Sequence, residues 1–361
     1  MGLWFNTYSK TDKYKLSKIG YNNKEIKIIK SLNKKDVETI KNVNYDKNIP
    51  KLITTDKFKK DYFKEYYTYQ KSHKTTNEET IFIINNDLDE NKEYNEELIK
   101  TYLNFSKKAK VSANMAVKLV NNNITDSKII SDIQKEKYYK EDNLERYINY
   151  YEKTKYDIKT IVRNVNANID YEYYTNIKDA DLSKDNLILV NKYYKLDASY
   201  EPDDLVQIEG NMYAKKVTCD AYLKMKKDAE KTGLSFTINS AYRSYSTQES
   251  LYNNYANTNG VSWAESFSAR PGHSEHQTGL ALDITSNSSN FDSFENTKEY
   301  EWLTKNAHKY GFILRYKKEY QDITGYHYES WHYRYVGVDV ATQIYNENIT
   351  YEEYYEYYIN K

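Results

Sequence analysis

Two short segments rich in histidine and acidic residues constrain this chain more than any other feature. The first, residues 268–283, contains His276 and Asp283 with six residues between them. The second, residues 328–335, contains Glu329 three positions before His332. Four of the six histidines in the chain lie in or beside these segments. For these residues to act together, the fold must bring the two segments, which are distant in sequence, into one site.

The residue types in these segments are those of a hydrolytic zinc site. His276, Asp283 and His332 would supply three ligands and leave the fourth tetrahedral position open for water or substrate. Glu329 would not bind the metal and could take a proton from the attacking water. Because residues three apart on a regular strand face opposite sides, we predict that Glu329 lies on a turn or irregular start of the strand that carries His332.

Other polar residues near these segments are candidates for substrate contacts. Arg243 directly follows a predicted strand and could stabilise an oxyanion or bind a substrate carboxylate. Ser274 lies two residues before His276 and could also bond a carboxylate. His273 and His327 break the spacing of the ligands, so we predict that neither binds the metal.

Composition excludes some classes of function. The 53 basic and 53 acidic residues balance, so no electrostatic argument favours nucleic acid. No segment approaches the roughly 20 apolar residues of a membrane span. The first residues lack a basic stretch followed by an apolar run, so we expect either a protein that is not exported or a chain without its signal or anchor. The single cysteine, Cys219, cannot form an internal disulfide.

The N-terminal half contains an internal repeat with a constant offset of 81 residues. The copies span about 49–85 and 130–166 and match at apolar and aromatic positions, such as Phe63 with Leu144 and Tyr66 with Tyr147. We predict two copies of a helix-turn-helix unit within a helical region, 1–171. This region would serve as a spacer or as a module that binds a cell wall or a protein partner. A C-terminal domain would then span 172–361.

Periodicity predicts an α+β structure for that C-terminal domain. Spacing of four predicts a helix at 215–231, and a helix is also predicted at 297–310. Alternation predicts strands at 234–240 and 279–284, with Asp283 opposite the aliphatic side chains. Strands are also predicted at 187–190, 312–316 and 331–336.

Residues 180–345 resemble the VanY-type zinc D-alanyl-D-alanine carboxypeptidases. Several separate motifs that carry the resemblance occur in the family's order, at 240–244 with Gln248, 268–272, 274–283, 311–316, 324–326 and 329–337. The resemblance implies a small antiparallel sheet flanked by helices. It also implies zinc at His276, Asp283 and His332, Glu329 as the catalytic base, and Arg243 near the reacting carbonyl, with a substrate site lined by Gln248, Ser274 and Tyr316.

The resemblance favours one function and leaves rivals open. The leading hypothesis is a zinc metallopeptidase at the bacterial cell surface or wall that removes the terminal D-alanine from peptidoglycan stem peptides. An L,D-carboxypeptidase acting on tetrapeptide stems and a phage-type endopeptidase are the enzymatic alternatives. A zinc-binding module that contacts the wall without catalysis is the non-enzymatic one, although such a module would need neither Glu329 nor Arg243.

Overall fold

The computed structural model describes residues 2–88, 96–287 and 289–360. The α-helices are α1 (Gly2–Ile19), α2 (Asn23–Ile29), α3 (Lys34–Lys41), α4 (Asn48–Ile53), α5 (Phe63–Ser72), α6 (Asn77–Asn85), α7 (Glu96–Ala109), α8 (Ala113–Asn121), α9 (Ser127–Gln134), α10 (Leu144–Thr154), α11 (Ile158–Asn166), α12 (Lys216–Glu230), α13 (Tyr245–Asn259), α14 (Val261–Phe267), α15 (Lys298–Asn306), α16 (Gln321–Thr324), α17 (Val338–Glu347) and α18 (Tyr351–Tyr354). The strands are β1 (Lys178–Asp179), β2 (Tyr194–Lys195), β3 (Leu205–Glu209), β4 (Met212–Lys215), β5 (Phe236–Ser240), β6 (Ala281–Ser286), β7 (Phe312–Tyr316) and β8 (Glu329–Tyr335).

The chain forms two compact units. One comprises Met1–Lys135 with Lys140–Ile148, and the other comprises Glu136–Tyr139 with Asn149–Lys361. Helix α11, which belongs to the second repeat copy, lies in the second unit. The boundary at 171/172 and the role of the helical region remain predictions. Among the described residues, no helix is both long enough and apolar enough to cross a bilayer.

The repeat in the sequence corresponds to a repeat in the structure. Helices α4, α5 and α6 of the first copy have counterparts in α9, α10 and α11, and a short 3₁₀ helix precedes both α5 and α10. Tyr66 and Tyr147 are fully buried, and each phenol oxygen accepts a backbone N–H seven residues earlier, from Lys59 and Lys140. Each copy contains three helices, one more than the predicted helix-turn-helix unit.

A four-stranded antiparallel sheet organises the second unit. Its strand order is β5-β6-β8-β7, so β6 and β8 occupy the centre. Side chains alternate between its two faces. The aliphatic and aromatic residues of one face pack on α12 and α15 in a core that includes Leu282, Ile284 and Tyr333. Asp283 and His332 alternate with these residues and point to the other face.

Most of the predicted C-terminal elements are present. The helix predicted at 215–231 is α12, and the strands predicted at 234–240, 279–284, 312–316 and 331–336 correspond to β5, β6, β7 and β8. The strand predicted at 187–190 is wrong. Ile188, Leu189 and Val190 are buried but have no regular structure. A short apolar run indicates burial and cannot by itself predict pairing in a sheet.

Candidate active site

The three predicted ligands converge on the polar face of the sheet. One potential ligand atom from each of His276, Asp283 and His332 lies within 4.8 Å of the other two, and all three residues are buried. The carboxylate of Asp283 lies between the imidazoles, with Oδ2 3.4 Å from His276 Nε2 and Oδ1 3.3 Å from His332 Nδ1. These distances place two nitrogen donors and one oxygen donor around a common point.

Sheet register accounts for two of these positions. Asp283 on β6 and His332 on β8 are directly paired across the two central strands. Directly paired residues on neighbouring strands have their Cβ atoms about 5 Å apart on the same face. His276 belongs to a short 3₁₀ helix, Glu275–Thr278, that ends at Gly279 with φ of 69°. A Cβ at Gly279 would lie 3.1 Å from the Lys215 backbone nitrogen, so glycine suits both the left-handed turn and the tight packing.

Hydrogen bonds fix which nitrogen of each histidine faces Asp283. His276 Nδ1 donates to the backbone carbonyl of Ala241 at 2.7 Å, which leaves Nε2 toward the carboxylate. His332 has the opposite arrangement, since Nε2 contacts Glu275 Oε2 at 3.3 Å and Nδ1 faces Asp283. Partners of this kind orient metal-binding histidines in proteins and select their tautomer.

The donor set fits a divalent metal ion such as zinc. The Asp283 carboxylate is buried between the two imidazoles, which is costly for an ionised group unless positive charge lies beside it. Burial alone would lower the pKa of His332, yet hydrogen bonds to Asp283, Glu275 and Glu329 raise that pKa well above its ordinary value. The site therefore favours positive charge, and nitrogen and carboxylate donors are those that zinc accepts.

Glu275 is a supporting residue that the sequence motifs do not single out. Its side chain is fully buried, and its Oε1 accepts from Arg315 Nε at 2.8 Å and from Arg334 Nη1 at 3.0 Å. Burial would raise the pKa of this carboxyl, but the two guanidinium groups outweigh it and hold the pKa well below the ordinary value. Glu275 therefore stays ionised and can hold His332 through Nε2. Arg315 also pairs with Glu352, which lies in α18.

Glu329 lies beside the ligand cluster at the beginning of β8. Its Oε2 is 3.4 Å from His332 Nδ1. The pairing of β8 with β7 is irregular near the beginning of β8. Between the pairs Leu314–Tyr333 and Tyr316–Glu329, β7 advances by two residues and β8 by four. This bulge lets Glu329 and His332 face the same side although they are three residues apart. The predicted irregular start of the strand is confirmed, with Glu329 as the first residue that pairs.

The remaining predicted site residues line the cavity that contains the ligand cluster. This cavity has a volume of about 560 Å³, and its walls include Arg243, Gln248, Ser274 and Tyr316. Arg243 is held by two bonds of 2.8 Å, from Nη1 to Gln248 Oε1 and from Nη2 to Ser240 Oγ. Burial, followed by the charge of Glu275, raises the pKa of Tyr316 well above its ordinary value, so its phenol remains a hydrogen-bond donor.

The two histidines predicted not to bind metal lie outside the cluster. His273 Nδ1 contacts the Asn191 carbonyl at 2.7 Å, and its ring packs edge-on against Tyr174. His327 lines the cavity but stacks on Phe267, with ring centroids 4.4 Å apart. Neither belongs to the group of donors formed by His276, Asp283 and His332.

Comparison with known proteins gives consistent matches to part of this chain. The VanY family model, described as D-alanyl-D-alanine carboxypeptidase, matches residues 211–338. The YodJ protein of Bacillus subtilis (strain 168) is 40% identical over 206 residues, which is 52% of this chain and 76% of YodJ. A D-alanyl-D-alanine carboxypeptidase of Enterococcus faecalis (strain ATCC 700802 / V583) is 35% identical over 189 residues, covering 49% of this chain and 68% of the relative.

A solved structure is also similar to this chain. It is the vancomycin resistance D,D-pentapeptidase VanY from a VanB-type resistance cassette, in complex with Zn(II). It has 32% sequence identity and a TM-score of 0.43, and the match covers 47% of this chain and 98% of that one. On the family match and on the extent and identity of the curated relatives, the chain belongs to the VanY family of D-alanyl-D-alanine carboxypeptidases.

Proposed function

We propose that this protein is a zinc-dependent carboxypeptidase that removes the terminal D-alanine from peptidoglycan stem peptides. The observation that carries the proposal is the convergence of His276, Asp283 and His332 in one cavity with Glu329 beside them. Membership of the VanY family supports the same reaction. Because the substrate is part of the wall, we place the site of action at the bacterial cell surface or in the cell wall.

The three converging residues would hold the zinc ion. His276 would bind through Nε2, His332 through Nδ1 and Asp283 through its carboxylate, since these atoms face one another. When bound, zinc supplies Lewis-acid chemistry, lowering the pKa of an adjacent water and polarising a carbonyl. The buried bonds to Ala241 and Glu275 keep the two imidazoles in the required orientation.

Glu329 would carry the proton during hydrolysis. Its carboxylate would accept a proton from the attacking water and then give it to the leaving amino group of D-alanine. A carboxylate 3.4 Å from a ligand nitrogen is close enough to reach a water in the same site. Glu329 is therefore assigned as general base and then general acid.

Arg243 would stabilise the negative charge that develops on the substrate. Its guanidinium lines the cavity, and bonds to Gln248 and Ser240 hold it in place. A pre-oriented cation of this kind stabilises an oxyanion without having to reorganise during the reaction. Gln248, Ser274 and Tyr316 would complete the substrate site, with Tyr316 as a donor and Ser274 beside the ligand His276.

Release of D-alanine from defined stem peptides tests the proposal. The protein should release it from the pentapeptide, and a chelator should abolish release until zinc is restored. Glu329→Gln should lower kcat by about 10²–10⁴-fold with unchanged zinc content, while Glu301→Gln, at an exposed helical ion pair, should behave as wild type. Near-normal turnover in Glu329→Gln would exclude Glu329 as the base.

The choice of substrate separates the alternatives. Release from the tetrapeptide alone would assign L,D-carboxypeptidase activity, and cleavage confined to cross-linked peptides would assign an endopeptidase. A protein that binds zinc but releases D-alanine from no stem peptide would be a binding module, and the enzymatic proposal would be wrong.

A further inference from the structure

Several aromatic rings line the same cavity as the ligand cluster without belonging to that cluster. Trp263 and Phe267 stack with ring centroids 4.5 Å apart, and His327 also stacks on Phe267 at 4.4 Å. A second pair, Phe291 and Trp331, lies in the same cavity with centroids 4.8 Å apart. The proposed hydrolysis at the zinc-binding end uses none of these rings.

The exposure of these rings indicates a binding surface. Trp263 is 38% exposed, Phe267 47% and Phe291 38%, although each is large and apolar. Contiguous exposed apolar groups on a soluble protein commonly mark a site for a ligand or partner. Because these groups line the same cavity as the ligand cluster, a substrate bound there can contact both.

The aromatic part of the cavity suits a neutral occupant. Among the described lining residues, the acidic and arginine residues are Arg243, Glu275, Asp283 and Glu329. The carboxylates belong to or contact the ligand cluster, and Arg243 bonds to His276 through its backbone N–H. Glu265, the acidic residue of α14, is already paired with Arg270. A lysine side chain of a peptide could also stack on the rings by cation–π attraction. However, among the described lining residues no free carboxylate lies beside the rings to strengthen the binding of a lysine.

We propose that these rings form a subsite for the sugar portion of a glycan-linked stem peptide. A pyranose ring presents a face of weakly polarised C–H groups, and aromatic faces carry negative charge density that attracts such groups. The stem peptide would place its terminal D-alanine at the ligand cluster while the sugar to which its other end is attached stacks on Trp263 and Phe267. This inference rests on the proposed carboxypeptidase function and specifies its substrate class.

The rings are held before any substrate arrives. Trp263 and Phe267 are four residues apart on α14 and so share one side of that helix. The last turn of α14 is fixed by Lys192, whose Nζ donates to the Glu265 carbonyl at 2.6 Å. At the other end, the Trp263 ring packs edge-on against Tyr255 of α13, 5.6 Å away. A rigid surface of this kind loses little conformational entropy on binding.

The test compares two substrates with the same peptide. One is the free pentapeptide, and the other is the pentapeptide linked to its disaccharide. The ratio of kcat/KM values, linked over free, should fall about 5- to 10-fold in Trp263→Ala and in Phe267→Ala, as expected for loss of a stacking contact. Val261→Ala is the matched control, since Val261 lies on α14, is 56% exposed and is not among the cavity-lining residues described.

Other outcomes would overturn the proposal. An equal loss of kcat/KM for both substrates would show that the rings bind the peptide, and unchanged kcat/KM values for both substrates in both variants would show that they bind neither part. Trp263→Tyr should restore the ratio, because it keeps an aromatic face. Phe267→Ala provides the test if Trp263→Ala fails to fold.

A binding measurement separates this proposal from the proposed function. In the Glu329→Gln background, the disaccharide pentapeptide should bind about 5- to 10-fold more tightly than the free pentapeptide, and Trp263→Ala should remove that difference. Equal affinities would overturn the subsite. If wild type releases no D-alanine from either substrate, the proposed function fails, while the affinity difference still decides whether the sugar binds.

Discussion

The buried ion network behind His332 offers a sharp test of how the site is supported. Glu275 and Glu352 balance the charges of Arg315 and Arg334, and all four side chains are between 0% and 3% exposed. Glu352→Gln would remove one negative charge and keep the shape of the side chain. Arg315 would lose the charge of a carboxylate that it now contacts through both of its terminal nitrogens.

The expected cost follows from burial. Breaking one partner of a buried pair leaves an uncompensated charge and typically costs about 3–5 kcal/mol. Arg315 keeps Glu275, so we expect a loss near the lower end, about 3 kcal/mol. For a domain of roughly 150–250 residues, each kcal/mol lowers Tm by about 2–4 °C, which gives a decrease of about 6–12 °C.

Calorimetry of the full chain with and without zinc would measure this decrease. Glu301→Gln is a matched control, because it breaks an exposed ion pair with Lys305 through the same change of side chain. Exposed pairs contribute only about 0–1 kcal/mol. Zinc affinity should also fall about 10–100-fold in Glu352→Gln, since loss of support behind a ligand weakens metal binding.

A Tm for Glu352→Gln within about 2 °C of that of Glu301→Gln would refute this reasoning. The buried network would then contribute no more than a surface pair. A large decrease in Tm with unchanged zinc affinity would show that Glu352 stabilises the fold without positioning His332.

Two further predictions follow from contacts near the site. Gly272→Ala should destabilise the protein by about 1–3 kcal/mol more than Gly233→Ala. Both glycines have φ near 80°, but a Cβ at Gly272 would lie 2.8 Å from the Leu196 carbonyl oxygen, whereas Gly233 has open space; equal losses in urea unfolding would contradict this. Burial lowers the pKa of Lys192 to about 8, so the unfolded state binds its proton more tightly. Relative to Lys192→Met, wild type should therefore gain roughly 3 kcal/mol as the pH rises from 8 to 10.5, and parallel pH profiles would contradict the shift.

Much of the site could be predicted because its chemistry lies in short motifs. Asp283 alternates with aliphatic residues, so its face follows from the sequence, and the three-residue spacing of Glu329 and His332 is enough to predict an irregular strand. Glu275 was missed because its partners, Arg315 and Arg334, lie 40 and 59 residues away. A periodic pattern within one segment cannot indicate a hydrogen bond between residues so far apart in sequence. The proposed aromatic subsite was missed for a similar reason, since Trp263 and Phe291 are far apart in sequence and line one cavity from separate elements.

The pairing of Asp283 with His332 across the central strands has a thermodynamic consequence. Two of the three proposed metal donors approach each other only when β6 and β8 are joined, so the unfolded chain has no such site. Any ion that binds only the native state shifts the unfolding equilibrium by mass action, contributing about 4 kcal/mol at a free concentration 1,000 times its Kd. Zinc supply would therefore govern the lifetime of the folded protein as well as its chemistry, and metal starvation would favour unfolding of the sheet.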